Sequence, residues 1–592
     1  MILSRKHRGW KIAGIVLLLL LAIGGGIILS VSQHYKRIIR KKLPVIAAKA
    51  TDSLYTVTAD HYSINIFNKS FSVHGLHLRP DPEVLERRRK EGHGPHTLMD
   101  IMIPEVEITG LKLNEMSGSK EITFSSIDLY HPKIDITITQ DPGRKDTVRK
   151  ERPKVERIFA ANINIADPDI RYKSGEDTAA YMVKAQGGLI AISDWEYRPL
   201  QPEDTTRFFY GAAADVRLER ITYHKPGSLY NYGMDTLHFR SLAHRLDIAG
   251  GYVKPIVSKT EFYQVEQQQK EIYDAIFPHI SLNGFSWESL IRKRGVIVDS
   301  IYLFEPDLEI YLSRIPPPNT HSRMGNYPHQ LLQRVPLPLH IPVIKVEDGR
   351  FRYKEQNDKT HRVGTLDFSQ IDGSVINVTN LPADIRKQSH CTIALVGKFM
   401  HKSDISASFD FPLAAPHGAF SVKGLLEHLD AGQVSETAKA LALAAVKSLK
   451  LHKLSFNITG NDTVADGQIT IVYNDLRVKL QKVEAATKEM HSRGFLSLLA
   501  NELLLYNDNP MEGEALRVAI THVKRDSTKS FFNLIWRNMF DAGLQTAIRQ
   551  EGAADLVRKQ KARKGKEKVH FFKKLFPKRK KNNTDSSFSF KR

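Results

Sequence analysis

Ile127-Asp-Leu129-Tyr-His-Pro132-Lys-Ile134-Asp-Ile136 decides the fold of this chain. Two apolar residues spaced by two are followed, five residues on, by two more. A spacing of two belongs to a strand with one apolar and one polar face. Five is odd, so an unbroken strand would turn the second pair to the opposite side. A bulge or bend at the proline restores a single apolar face, and proline, which has no N–H, suits a strand end or corner. The pattern recurs as Ile163-Asn-Ile165-Ala-Asp-Pro168-Asp-Ile170-Arg-Tyr172 and Ile301-Tyr-Leu303-Phe-Glu-Pro306-Asp-Leu308-Glu-Ile310. A fourth copy, Ile344-Lys-Val346-Glu-Asp-Gly349-Arg-Phe351-Arg-Tyr353, has glycine in place of proline. Uneven spacing of the copies excludes a strict tandem array and implies a strand–corner–strand unit with variable insertions.

Working outward, period-two alternation begins at Tyr62, Ile64 and Ile66 and continues through Phe71, Val73, Leu76 and Leu78, with Gly75 breaking parity. Thr392–Phe399, Ile405–Phe411, Leu454–Ile458, Gln468–Tyr473 and Leu476–Leu480 read as later strands. Glu83–His96, Gln140–Arg152 and Pro316–Pro328 are charged or Pro/Gly-containing and predict exposed loops. Ser435–Leu449, rich in Ala, Leu and Lys, predicts a helix. Phe532, Ile535, Trp536, Met539 and Phe540 fall on one face of a second helix, with Asp526 or Ser527 as its cap and Gly543 near its end. That helix is expected to pack against the end of the sheet, with a place on the membrane surface as the alternative.

Ile12–Ser32 reads IAGIVLLLLLAIGGGIILSVS, with no charged residue. At about 1.5 Å per residue it reaches roughly 31 Å, the thickness of a bilayer core. It is longer than the apolar part of a secretion signal and runs into Lys36, Arg37, Arg40, Lys41 and Lys42 rather than a small-residue cleavage site, so it reads as an uncleaved anchor. Both flanks are basic, and charge alone sets no orientation.

The formal net charge of +21 is concentrated at the two ends. Residues 1–42 hold nine Lys/Arg and no acid; residues 558–592 hold fifteen against Glu567 and Asp585. Residues 43–557 are close to neutral. A nucleic-acid binder carries its basic stripe on the folded domain, so no nucleic-acid partner is expected. Basic segments beside an apolar span meet anionic headgroups instead. In the tail, Phe571, Phe572, Lys573, Lys574, Leu575 and Phe576 are candidates for a membrane surface, with a solubilising extension as the alternative.

Reactive chemistry is sparse. No P-loop, nucleophile elbow, HExxH, paired CxxC or glycine-rich dinucleotide fingerprint occurs. Ser117-Gly-Ser-Lys120 lacks the companion motifs of an SxxK enzyme and reads as a polar turn. His93 and His96 lie in a loop with no further ligand. Cys391 is the sole cysteine and forms no internal disulfide. Neither a catalytic residue, a metal site nor a cofactor is expected.

The residues resemble the AsmA-like family of Gram-negative envelope proteins, related to TamB-like and repeating β-groove proteins. Three pieces carry the resemblance: the apolar anchor running into Ile64-Asn-Ile66-Phe-Asn-Lys-Ser70-Phe-Ser-Val73-His-Gly75-Leu76-His-Leu78; the strand–corner unit, above all Ile341–Tyr353; and Ala465-Asp-Gly467-Gln-Ile-Thr-Ile-Val-Tyr473-Asn-Asp475-Leu476-Arg-Val478-Lys-Leu480. The resemblance implies a mainly β fold: an N-terminal transmembrane helix, then a long curved antiparallel β-sheet forming a groove, with a few C-terminal helices. It implies a single-pass inner-membrane protein with its body in the periplasm, binding or conducting phospholipid for outer-membrane maintenance. The expected organisation is an anchor over 1–42, a β-groove body over 43–484, a mainly helical region over 485–556 and a basic tail over 557–592. Ile127, Leu129, Ile134, Ile136, Ile163, Ile165, Ile170, Ile301, Leu303, Leu308, Ile310, Val346 and Phe351 become the candidate groove lining. The competing expectation is a non-enzymatic envelope assembly factor whose sheet is filled by side chains or by a protein partner.

Overall fold

The computed structural model describes residues 51–549, apart from residue 52 and internal gaps of which the longest are 66–69, 140–154, 176–181, 484–489 and 493–504. The apolar run Ile12–Ser32 and the tail candidates Phe571–Phe576 lie outside the described residues. Among the described residues no helix is long and apolar enough to cross a membrane.

The chain is mainly β, and its strands pair almost strictly with their sequence neighbours into one sheet. The order can be followed along a single line of directly opposed residues. It runs Tyr62, Val73, Val106, Leu129, Ile165, Ile190, Val216, Phe239, Leu246 and Leu282. It continues through Ile301, Ile344, Val375, Ile393, Phe409, Val422, Ile458, Gly467 and Thr521. At about 4.8 Å between strands, this ladder of nineteen rungs extends roughly 85 Å. Seventeen consecutive positions, Tyr62 to Ile458, are apolar.

The expectation of an antiparallel sheet is corrected: the sheet is mixed, and apart from Val296–Ile297 beside Leu339–His340 its parallel pairs lie in the strands that carry the motif copies. The first copy pairs with the second in parallel, Ile127 opposite Ile163, Leu129 opposite Ile165 and Ile134 opposite Ile170. The third pairs with the fourth, Ile301 opposite Ile344, Leu303 opposite Val346 and Leu308 opposite Phe351. Equal spacing in two chain segments is what a parallel ladder needs, because it brings every like position into register. Parallel neighbours also require a long return connection, which accounts for the stretches between Ile138 and Val155 and between Ser313 and Leu339.

Each corner turns on one residue in the left-handed region, just before the proline or glycine: His131 (φ 52°), Asp167 (φ 50°), Glu305 (φ 50°) and Asp348 (φ 48°). The ladder survives the turn in the same way in both seams. His131 N donates to Ala166 O and Asp169 N to Pro132 O; likewise Glu305 N donates to Glu347 O and Arg350 N to Pro306 O. Other rungs break at the same level, at Gly75, Arg220 and Gly250, all with positive φ. A side chain at Gly250 would be strained: its φ is 63°, and a Cβ would stand 2.0 Å from Asp235 Oδ2, so Asp235 would have to move. The breaks form a crease across the sheet that changes the parity of each strand by one residue. Val73 and Leu76, an odd three apart across Gly75, are therefore buried in the same core cluster.

The opposite face is polar and is held by cross-strand charge pairs. Arg171 Nε lies 2.8 Å from Asp135 Oδ1, and Arg352 Nε lies 3.4 Å from Glu309 Oε2. Both pairs occupy the same motif position in their seam, with the acid in the earlier copy and the arginine in the later one. Arg245 and Arg240 converge on Asp247, whose carboxyl is pushed up by desolvation but held at about 2 by those guanidiniums.

Among the described residues seven α-helices decorate the sheet: α1 (Pro82–Lys90), α2 (Lys259–Glu266), α3 (Trp287–Ile291), α4 (Pro328–Gln333), α5 (Pro382–Lys387), α6 (Ala431–Ala442) and α7 (Phe531–Ala547). α1 occupies part of the expected loop Glu83–His96: Asp81 Oδ1 caps Glu83 N and Val84 N, and Pro82 opens the first turn. α6 starts earlier and stops earlier than the helix expected over Ser435–Leu449. From Ala444 the chain is a strand paired with Leu480 and its neighbours, so ladder pairing overrides helix propensity there. Val518–Lys524, within the stretch expected to be mainly helical, is the terminal strand. Ser530, not Asp526 or Ser527, is the N-cap residue of α7, and the helix runs past Gly543.

The Asp135–Arg171 pair tests the seam. Arg171→Asp sets like charges directly opposite and should lower stability by about 1 kcal/mol. Adding Asp135→Arg should restore it. Chemical denaturation of both variants measures this; a double variant no more stable than the single would contradict an electrostatic lock on the seam.

Candidate functional site

The apolar face runs along most of the described sheet, and its covering changes along the way. A second row of opposed residues runs Leu218, Leu237, Ile248, Ile280, Leu303, Val346 and on to Leu395. Beyond the crease a third row runs Ile136, Tyr172, Val183, Tyr223, Tyr232 and Val253. It continues through Ala275, Leu308, Phe351, Phe368 and Phe399. Rings meet along this row: Phe351 stacks on Phe368 with centroids 5.8 Å apart, and Phe368 with Phe399 at 5.1 Å and Tyr223 with Tyr232 at 5.7 Å are tilted pairs.

At the N-terminal end the face is closed by the chain. Ile127, Leu129 and Ile163 are buried there among Leu54, Tyr55, Val57, Phe71, Ile108 and Trp195. At the C-terminal end α7 and α6 cover it. Phe531, Leu534 and Ile535 pack on Val422 and Ile458 of the first row, and Val434 joins a cluster with Leu426, Leu451 and Ile469. Between these ends the lining is half-buried. Ile134, Ile136, Ile165, Ile170, Ile301, Leu303, Leu308, Ile310, Val346 and Phe351 are all of intermediate exposure, and Tyr223 and Tyr232 are exposed. On one side this middle stretch is edged by α3, where Trp287, Phe285 and Phe208 pack against Phe239. On the other it is edged by a tyrosine group. Tyr230 Oη accepts from Tyr273 N, and Tyr353 Oη donates to Glu355 Oε2 at 2.7 Å. Burial pushes the Tyr230, Tyr273 and Tyr353 phenols up, so they stay neutral and present an apolar ring with one polar tip.

A strap, residues 314–338, crosses from the middle of the sheet to its C-terminal end. Arg323 makes a bidentate pair with Glu271 at 2.7 Å, and Arg525 Nη2 donates to Arg323 O at 2.7 Å. Tyr327 is fully buried against Phe420 and Phe531, with Arg525 4.2 Å above its ring. Arg525 is paired to Asp462 at 2.7 Å, with side-chain exposures of 2% and 11%. Tyr327 and Arg525 were not singled out in the sequence; a tyrosine before a proline in a loop gives no periodic signal, and the arginine's partner is 63 residues away.

Among the described residues there is no group of three or more His, Cys, Asp or Glu able to hold a metal. Cys391 is buried and its thiol is pushed up to about 11 by desolvation, the opposite of an activated nucleophile. A surface hollow of about 600 Å³ over residues 372–374, 394–396, 406–408 and 423–425 is lined mainly by serine, alanine and glycine. His93 and His96 stand at the loop after α1 and do not converge with other ligands. What the arrangement can do is therefore to cover or accept apolar surface along the unfilled middle of the sheet. No family model matches this chain, and no curated protein sequence matches it.

Arg525→Ala would leave Asp462 charged and nearly buried. The loss expected is about 3 kcal/mol, read as a lower unfolding midpoint in chemical denaturation. Arg525→Ala with Asp462→Asn should recover part of that loss, because the uncompensated charge is gone.

Proposed function

We propose that this chain is a membrane-tethered β-groove protein of the AsmA-like kind that binds or conducts phospholipid, with acyl chains lying on the half-buried middle of the creased sheet. The observation that carries this reading is the uninterrupted apolar line across seventeen rungs, covered at both ends and only half-covered between them. An apolar wall of that length left in water is costly, at about 25 cal/mol per Å². Acyl chains satisfy it while headgroups stay in water at the rim, where Tyr223, Tyr232 and Tyr273 show rings to solvent. Nothing in such a role calls for a nucleophile, a metal or a cofactor. The apolar run Ile12–Ser32 supplies the tether, and an inner-membrane, periplasm-facing placement follows from the family resemblance.

The assembly-factor reading has one observation in its favour. Apolar side-chain packing closes the N-terminal rungs, with Ile127 and Ile163 under the protein's own side chains. Lipid binding is accordingly placed by this proposal on residues 216–253, 275–310 and 346–368 only.

Native mass spectrometry of the purified full chain should find bound phospholipid. Leu303→Arg and Phe351→Arg, at half-exposed positions of the second and third rows, should each strip most of it with the fold retained by circular dichroism. A photoactivatable acyl chain should label residues of these rows. Lipid-free protein, or labelling that ignores both substitutions, would leave the assembly-factor reading standing.

A further inference from the structure

α7 has two apolar faces, and the sheet uses one. Phe531, Leu534, Ile535 and Ala542 are buried against the first row and the strap. Phe532, Trp536 and Phe540 are 60%, 49% and 47% exposed, with Phe532 reaching the first row only by an edge contact with Phe409, centroids 6.5 Å apart. Successive steps of four residues place them in one stripe along the helix. The sequence pattern had grouped these three with Ile535 and Met539 as a single packing face; the structure splits the group, because a helix on a sheet can bury only one side.

Charge beside the stripe is balanced among the described residues, and the sequence beyond the helix is strongly positive. Arg537, on the same side of the helix, is exposed and donates to Lys524 O at 3.2 Å; Lys529 precedes the first turn. The acids nearby are Asp526, whose carboxylate accepts from Thr528 N and Oγ1, and Asp541, half-buried. The chain leaving α7 carries fifteen Lys/Arg against two acids over residues 558–592. An occupant must therefore accept aromatic side chains and offer dense negative charge. Bulky aromatic rings at a wet–apolar boundary, with cations beside them, match an anionic phospholipid surface.

We propose that α7 is a membrane-docking helix: its Phe532–Trp536–Phe540 stripe enters the headgroup layer of an anionic bilayer, while Arg537 and Lys529 hold phosphates. This contact is separate from the Ile12–Ser32 tether and from lipid held on the sheet. It gives the chain a bilayer contact at the last rung of the ladder.

The test uses the full chain held in phosphatidylcholine nanodiscs by its own apolar segment, mixed with added vesicles. Vesicles of phosphatidylcholine with phosphatidylglycerol at two to one should carry the protein upward in flotation; pure phosphatidylcholine vesicles should do so weakly. Phe532→Ser, Trp536→Ser and Phe540→Ser combined should reduce flotation at least about tenfold, with the unfolding midpoint and the bound-lipid complement unchanged. Brominated acyl chains in the added vesicles should quench wild-type emission, and Trp536→Phe should abolish that quenching while flotation persists, which reads insertion without the triple variant. Flotation of the triple variant at the wild-type level would overturn the proposal in favour of the tail alone. So would absent quenching of Trp536, which would leave the stripe to a protein partner. Loss of bound lipid from Leu303→Arg would not alter flotation, so the two readings fail separately.

Discussion

Everything in this molecule depends on keeping the backbone ladder paired while the sheet turns a corner. Every buried N–H and C=O must find a partner, and a strand that bends alone loses its ladder. Here the strands break together. His131, Asp167, Glu305 and Asp348 take the left-handed conformation at the same level in their rungs, and the amides on either side still reach the neighbouring strand. A non-glycine residue held at positive φ carries local strain, and it persists only where surrounding pairing over-determines it. The gain is a parity change that keeps both halves of each strand apolar on one face, giving one wall rather than two half-walls.

That wall sets the problem the rest of the chain addresses. At the start, the first strands and the Trp195–Tyr197–Tyr210 group close over it. At the end, α6, α7 and the strap do the same with Tyr327 and Phe531. The middle rungs have only α3 and the tyrosine edge beside them. The polar face needs no such cover, since its residues pair across strands, Asp135 with Arg171 and Asp247 with Arg245. The contrast between a satisfied outer face and a half-covered inner one is what directs attention to the inner one.

Much of this was legible in the sequence, because strand parity is a local signal. The Pro/Gly corner, the odd step of five and the single apolar face all follow from residues within ten positions. What local reading missed was the partner of each copy. Parallel pairing of Ile127 with Ile163 and of Ile301 with Ile344 is a non-local choice, visible only in that the copies share one internal spacing. Helix boundaries failed for the same reason. Ala444–Ser448 has good helix formers, yet the strand from Val464 to Val483 was there to pair with it. Trp536 shows the limit of periodicity: it locates an apolar helix face but cannot say which side the sheet takes. The residues proposed as lining split similarly, with Ile127 and Ile163 enclosed while Leu303 and Phe351 stay half-open, a difference set by what packs overhead.

A ladder in which each rung touches only its neighbours would fray or unzip from either end, one strand at a time. The strap changes that for part of the chain. Because the second seam is parallel, the backbone must travel back between Ser313 and Leu339, and on the way it ties Glu271, beside the tenth rung, to Asp462 and Ser527 near the last two. Distant rungs are thereby locked into one cooperative block. The earlier strands have no comparable tie among the described residues, so the two ends of a uniform-looking sheet differ in how they would come apart.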